Sequence, residues 1–243
     1  MPPLPTQRHD IFQASVMSAL LDGVYDGEMT IGELLTHGDF GLGTFDALDG
    51  ELLVLDGVAH QLHADGRVQG ADPASGTPFA VITTFVPHIA REVTVRTTAA
   101  EFAELLSSLV PSQNYLHAVR VTGQFELVRT RTVARQARPY RPLVAVTKGE
   151  PVHEVRDVAG VVAGFRTPLY ERRIGVPGGH VHFIDDAHRR GGHVLDFVVD
   201  RAIVEVCVGS DLHLALPMTP DFAHAQLDPA DLDGQVERTE RHT

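Results

Sequence analysis

Ile11, Phe12, Val16, Leu20, Leu21 and Val24 recur at helical spacing, and the pattern predicts an amphipathic helix over residues 11–25. Thr30 followed three residues later by Glu33 has the form of a capping box and predicts a short helix ended at Gly38. From Gly41 to Gly57 short apolar runs alternate with Asp49-Gly50 and Asp56-Gly57, the punctuation of a β-meander. Residues 79–86 and 91–97 continue as strands. Thr98 with Glu101 opens a second capped helix through Phe102, Leu105, Leu106 and Leu109, stopped before Pro111. Strand character returns over 116–133, with Phe125, Leu127, Arg129, Arg131 and Val133 on one parity. A stretch rich in Pro and basic residues follows, and Lys148-Gly149-Glu150-Pro151 reads as a hinge. Residues 158–165, 179–184, 192–199 and 202–208 are predicted strands, with a short helix in the polar tail. The pattern implies a mixed α+β chain with few helices, in two β-based parts, 1–150 and 151–243.

The chain has 243 residues, of which 43% are hydrophobic and 21% charged, enough apolar side chain for a sizeable core. Its formal charge of −12 repels phosphate backbones and anionic lipid, which argues against nucleic-acid and membrane partners. No apolar run approaches the roughly 20 residues of a spanning helix. The start, Met1-Pro2-Pro3-Leu4-Pro5, lacks the pattern of an export signal, so a cytoplasmic location is expected. One cysteine, Cys207, leaves no disulfide framework and no thiolate-rich zinc site; it alternates with valines and reads as a buried strand thiol.

Histidine changes the picture. There are 14, and the densest cluster is Gly179-His180-Val181-His182-Phe183, followed after a turn by Gly191-Gly192-His193. Side chains two apart on a strand leave the same face, about 6.6 Å apart at the backbone. From there two imidazoles can lean toward one ion and reach zinc–nitrogen distances of about 2.0–2.1 Å. Val181 and Phe183, of opposite parity, would brace the strand in the core. A turn through Asp185, Asp186, Arg189 and Arg190 would return His193 on the adjacent strand. Three neutral histidines without a fourth protein ligand are the composition of a catalytic zinc site. Glu51, after an Asp-Gly turn, is a candidate acid. Arg129 and Arg131 on a mostly apolar face suggest either an anion partner or an ordinary salt bridge.

These residues resemble the α-acetolactate decarboxylase family. The resemblance rests on Gly41-Leu42-Gly43-Thr44-Phe45 with Leu48-Asp49-Gly50-Glu51-Leu52, on Thr130-Arg131, and above all on His180-x-His182 with Gly191-Gly192-His193-Val194-Leu195-Asp196-Phe197. It implies an α/β protein of two sheet-based parts with the metal between them, assembled as a homodimer. It implies one Zn²⁺ on His180, His182 and His193, with Thr44, Glu51, Arg131 and a tail glutamate lining the same pocket. Glu240 fits that last position best and Glu237 second. The implied reaction is decarboxylation of 2-acetolactate to acetoin, the step leading toward butanediol, through a metal-bound enediolate protonated by a glutamate. In that scheme Arg131 orients the carboxylate and Glu51 is a buried, proton-bearing acid. One departure from the family is Gly179, where an aromatic residue is frequent.

Two other readings compete. A cupin-type metal oxygenase also uses His-x-His and a later His, but adds a glutamate shortly after the pair, where this chain has Asp185 and Asp186. A zinc-stabilised, non-enzymatic binding module would close the coordination sphere with a fourth ligand, for which His188 or Asp196 is the candidate.

Overall fold

The computed structural model describes residues 7–240, apart from the side chains of Glu237 and Glu240. Its strands in chain order are β1 (Asp10–Ala14), β2 (Met29–Thr30), β3 (Phe40–Thr44), β4 (Glu51–Leu55), β5 (Val58–Leu62), β6 (Val68–Gly70), β7 (Gly76–Thr77), β8 (Phe79–Thr83), β9 (Ile89–Val93), β10 (Thr97–Thr98), β11 (Leu116–Arg131), β12 (Val152–Thr167), β13 (Gly178–Asp185), β14 (Gly191–Gly209) and β15 (Asp211–Ala215). The helices are α1 (Met17–Asp22), α2 (Ile31–Leu34), α3 (Ala99–Leu109), α4 (Leu143–Val146), α5 (Pro220–His224) and α6 (Leu232–Glu240).

The Asp-Gly signals do what their backbone chemistry allows. Asp56 and Gly57 both adopt positive φ and fold β4 onto β5 as a tight hairpin. β3, β4 and β5 join a seven-stranded sheet in the order β15-β1-β8-β3-β4-β5-β6, in which only the β1–β15 pair is parallel. Both predicted capping boxes are present, at the starts of α2 and α3. The second sheet runs β10-β14-β11-β12-β13, with β9 also on β14. Because β13 pairs with β12 and also with the start of β14, strands β11 to β14 close into a ring.

One core lies between the sheets, where Phe40, Leu42, Leu53 and Phe79 of the first meet Ala118, Ala163, Phe165 and Ile184 of the second, with α1, α4 and α6 at its margin. Outer cores form under α3 (Phe102, Leu106 against Val119, Phe125, Phe183 and Phe197) and under α2 (Ile31, Leu34 against Leu52, Val54 and Ile82). Gly164 is one place where the sheets approach closely, against Leu42 of β3 and beside neighbouring β13. A Cβ there would lie 2.2 Å from the His180 carbonyl oxygen and 2.6 Å from Leu42 Cδ2.

The structure departs from the periodicity in three places. The expected helix over 11–25 is a strand, β1, followed by the six-residue α1, with Ser15 at φ +62° breaking the chain between them. Hydrogen bonding to β8 and β15 on both sides outweighs the local helical pattern. The strands expected over 192–199 and 202–208 are one strand. The polar Asp200 between them is the extra residue of a bulge, since Gln124 pairs with Arg201 and Phe125 with Val199. The sheets also do not divide at residue 150. β9, β10 and β11 belong to the second sheet, β11 pairs with β12 across that hinge, and β15 returns to the first sheet beside β1.

Two predictions follow from the packing. Gly164→Ala pushes against the His180 carbonyl of β13 and against Leu42 of the facing sheet, and is expected to destabilise the fold by about 2 kcal/mol in denaturant unfolding; an unchanged midpoint counts against this account of the close approach. His117 is fully buried, and neither ring nitrogen has a hydrogen-bond partner. Burial, with the Arg166 guanidinium nearby, pushes its imidazole down to about 4. As pH falls from about 6.5 to 4 the unfolded chain takes up a proton at His117 that the folded chain refuses, so stability falls with pH. His117→Leu removes that penalty, and its stability relative to the parent is expected to rise by about 3 kcal/mol between pH 7 and pH 4. A constant difference across that range would exclude His117 as a source of acid sensitivity.

Candidate metal centre

The hairpin from β13 to β14 brings the three histidines together. Asp185 accepts hydrogen bonds from the backbone N–H of Arg189 and Arg190, and its own N–H donates to the Arg190 carbonyl, which tightens the turn. His193 thereby falls directly opposite His182, and His180 is two residues along the same strand. Ring centroids lie 5.1 to 5.6 Å apart. One nitrogen from each ring lies within 4.8 Å of the others, so small side-chain rotations bring all three onto one ion. Among the described residues this is the single cluster of three or more such ligands. Neither His188, exposed in the turn, nor Asp196 belongs to it.

The donor set fits a metal. Nδ1 of His182 donates to the Leu52 carbonyl at 2.8 Å, which fixes the tautomer and leaves Nε2 as the lone-pair nitrogen. That Nε2 is buried and has no hydrogen-bond partner. A buried acceptor left open in this way demands a reason, and a cation supplies one. Burial, with the nearby Arg131 charge, pushes His180 down to about 3. His182 is also held well below its usual value, by burial first and then by its neighbours. Both rings are neutral at physiological pH, the form that ligates.

The first sheet supplies the facing wall. Leu52, which orients His182, follows Glu51 on β4, and Glu51 Oε2 lies 3.8 Å from His182 Nε2. Thr44 pairs with Glu51 across β3 and β4, and its hydroxyl donates to the Gly50 carbonyl at 2.8 Å. Thr44, Glu51, Arg131, His180 and His193 line one cavity, whose apolar side is Met17, Leu20, Leu48, Phe79, Val133 and Leu143.

Arg131 lies opposite His193 on β11, and its side chain is 5% exposed. Arg129 shares its parity but is exposed, because the register against β14 shifts between Arg129 and Thr130. The salt bridge left open by the sequence exists: Arg131 Nη1 donates to Glu150 Oε2 at 2.8 Å, and Nη2 donates to the Thr239 carbonyl. Glu150, in the segment read as a hinge, had no local signal that could have found it. The expected tail glutamate, Glu240, lies outside the described residues as a side chain, as does Glu237; the backbone of α6 nevertheless reaches the site through Thr239. Gly191 and Gly192 leave room for the close approach of neighbouring backbone beside the histidines. A Cβ at Gly191 would meet the Phe183 carbonyl at 2.6 Å, and one at Gly192 the Arg131 carbonyl at 2.9 Å. Cys207 is buried, and burial pushes its thiol up to about 11, in keeping with an inert strand residue.

Comparison with known proteins gives a consistent result. Residues 11–229 match the family described as Alpha-acetolactate decarboxylase. A relative of that name from Bacillus subtilis strain 168 is 40% identical over 230 residues, 95% of this chain and 90% of the relative. Another of that name, from Methylococcus capsulatus strain Bath, is 43% identical over 225 residues, 93% of this chain and 86% of the relative. The crystal structure of alpha-acetolactate decarboxylase from Bacillus subtilis strain 168 is similar with a TM-score of 0.94 at 39% identity, over 96% of this chain and 100% of that one.

Titration of metal-free protein with Zn²⁺, followed by calorimetry or by competition with a chromophoric chelator, is expected to show one ion per chain. His193→Ala should weaken that binding by at least about 100-fold. Equal affinity in the variant would remove His193 from the ligand set.

Proposed function

The chain belongs to the alpha-acetolactate decarboxylase family and is a carboxy-lyase, and from that premise we propose that it decarboxylates 2-acetolactate to acetoin at a zinc ion held by His180, His182 and His193. The observation that carries this reading is the convergence of the three rings, one of them with its tautomer set by β4, on the strand position that presents Glu51. The cupin-type oxygenase and the structural zinc module have no comparable support.

Breaking the bond from the carboxylate carbon leaves an electron pair that passes into the adjacent ketone, giving an enediolate and CO₂. When bound, zinc would supply Lewis acidity toward the oxygen on which that charge develops. Arg131 orients the carboxylate before it departs, since a buried guanidinium holds an anion in a restricted geometry. Glu51, with its side chain 12% exposed, holds the proton delivered to carbon in exchange for the lost CO₂, and is recharged from solvent. Because Glu51 stands on the β4 wall alone, the proton arrives at one face, giving acetoin of one hand. The apolar wall formed by Met17, Leu48, Phe79 and Leu143 keeps water from competing as proton donor. Thr44 supports this wall by tying the Gly50 carbonyl just ahead of Glu51. Glu240, at the end of the helix whose Thr239 carbonyl holds Arg131, is assigned to proton exchange at the same site.

A homodimer and a cytoplasmic location belong to the same reading. The first rests on the family resemblance, and the second is carried over from the expectation. No helix among the described residues is long and apolar enough to cross a membrane.

Incubation with racemic acetolactate, following acetoin and CO₂, tests the assignment. Activity is expected to vanish on chelation and return with Zn²⁺. Glu51→Gln should retain its metal while turnover falls by about 100-fold or more. Undiminished turnover in that variant would take Glu51 out of the mechanism, and chelator-resistant decarboxylation would do the same for the metal.

A further inference from the structure

Glu150 lies in the segment between α4 and β12, beyond every motif that marks the site, yet its side chain is only 7% exposed. A carboxylate is rarely buried unless a cation holds it there. Here the cation is Arg131, whose Nη1 donates to Glu150 Oε2 at 2.8 Å. The other terminal nitrogen, Nη2, is taken by the Thr239 carbonyl at the end of α6. The two anchors come from parts of the chain 89 residues apart (from residue 150 to residue 239), and neither is on the sheet that carries Arg131. Of the three guanidinium nitrogens, Nε is the one that makes no hydrogen bond, and it is buried. Arg131 also lines the cavity beside His180 and His193.

Arginine has five donors on a rigid plane, so fixing the two ends of the fork fixes the direction of the third nitrogen. We propose that Glu150 is a positioning residue for the decarboxylation: together with the Thr239 carbonyl it clamps the terminal nitrogens of Arg131, so that the Nε–H is the donor presented to the substrate carboxylate. This rests on the function proposed above, in which Arg131 orients that carboxylate. Removing Glu150 leaves a buried guanidinium short of one anchor, free to turn and with an uncompensated charge near the histidine cluster. Misorientation of about an ångström at a reacting group is enough to cost catalysis heavily.

The experiment is a double-mutant cycle on metal-loaded protein, with bound zinc and thermal midpoint measured for every variant. Glu150→Ala is expected to lower kcat/KM per mole of bound zinc by about 100-fold. Glu150→Gln, which keeps an acceptor oxygen at the same reach and provides a variant less prone to misfolding, should recover to within about tenfold of the parent. In the Arg131→Ala background, Glu150→Ala should cost nothing further, because its effect passes through Arg131. A role confined to folding would move the midpoint and leave kcat/KM per loaded chain unchanged, and that result overturns the proposal. So does a full additional loss on top of Arg131→Ala. If Arg131→Ala itself retains activity, the role given to Arg131 in the proposed function fails. If Arg131→Ala is inactive while Glu150→Ala is not, only the clamp fails.

Discussion

The hydrogen bond from His182 Nδ1 to the Leu52 carbonyl is the point on which the site depends. It crosses from one sheet to the other and chooses which nitrogen of His182 faces the cluster. A metal ligand needs both a neutral ring and a defined lone pair, and a backbone carbonyl of a central strand is a rigid way to provide the second. Because Leu52 follows Glu51 on β4, the same strand that orients His182 also places Glu51 beside it. Relative movement of the sheets would disturb both together, which gives the close approach at Gly164 its importance.

Burial sets the electrostatics of this region. It keeps His180 and His182 neutral, and it makes any charge that enters cost more unless it is paired. The charge that does enter, Arg131, is paired with Glu150 and with the end of α6. Such a pair is weak evidence for stability, since desolvation offsets its attraction, but it constrains geometry strongly. The result is a cavity with one apolar side and one side of positioned polar groups, the usual make-up of a small-molecule site.

Sequence signals match the structure where the physics is local. The capping boxes at Thr30 and Thr98 and the hairpin at Asp56-Gly57 involve residues that touch within a few positions, so their chemistry is visible in sequence. The helix expected over 11–25 was not, because the two strands flanking β1 come from residues 79–83 and 211–215. Parity likewise placed Arg129 and Arg131 together, whereas a register shift separates an exposed residue from a buried one.

His180, His182 and His193 could be grouped from sequence because a strand, a turn and a returning strand lie within 14 residues, and alternation sends their side chains to one place. The composition and charge follow from which residues are present, and this hairpin from their order along the chain. The partner of Arg131, the tautomer of His182, the wall that faces the three histidines and the course of the chain across residue 150 were decided only by the tertiary structure. Arg131 and Glu150 are 19 residues apart, Arg131 and Thr239 108, and His182 and Leu52 130, and no periodicity along a chain encodes which distant segments will meet.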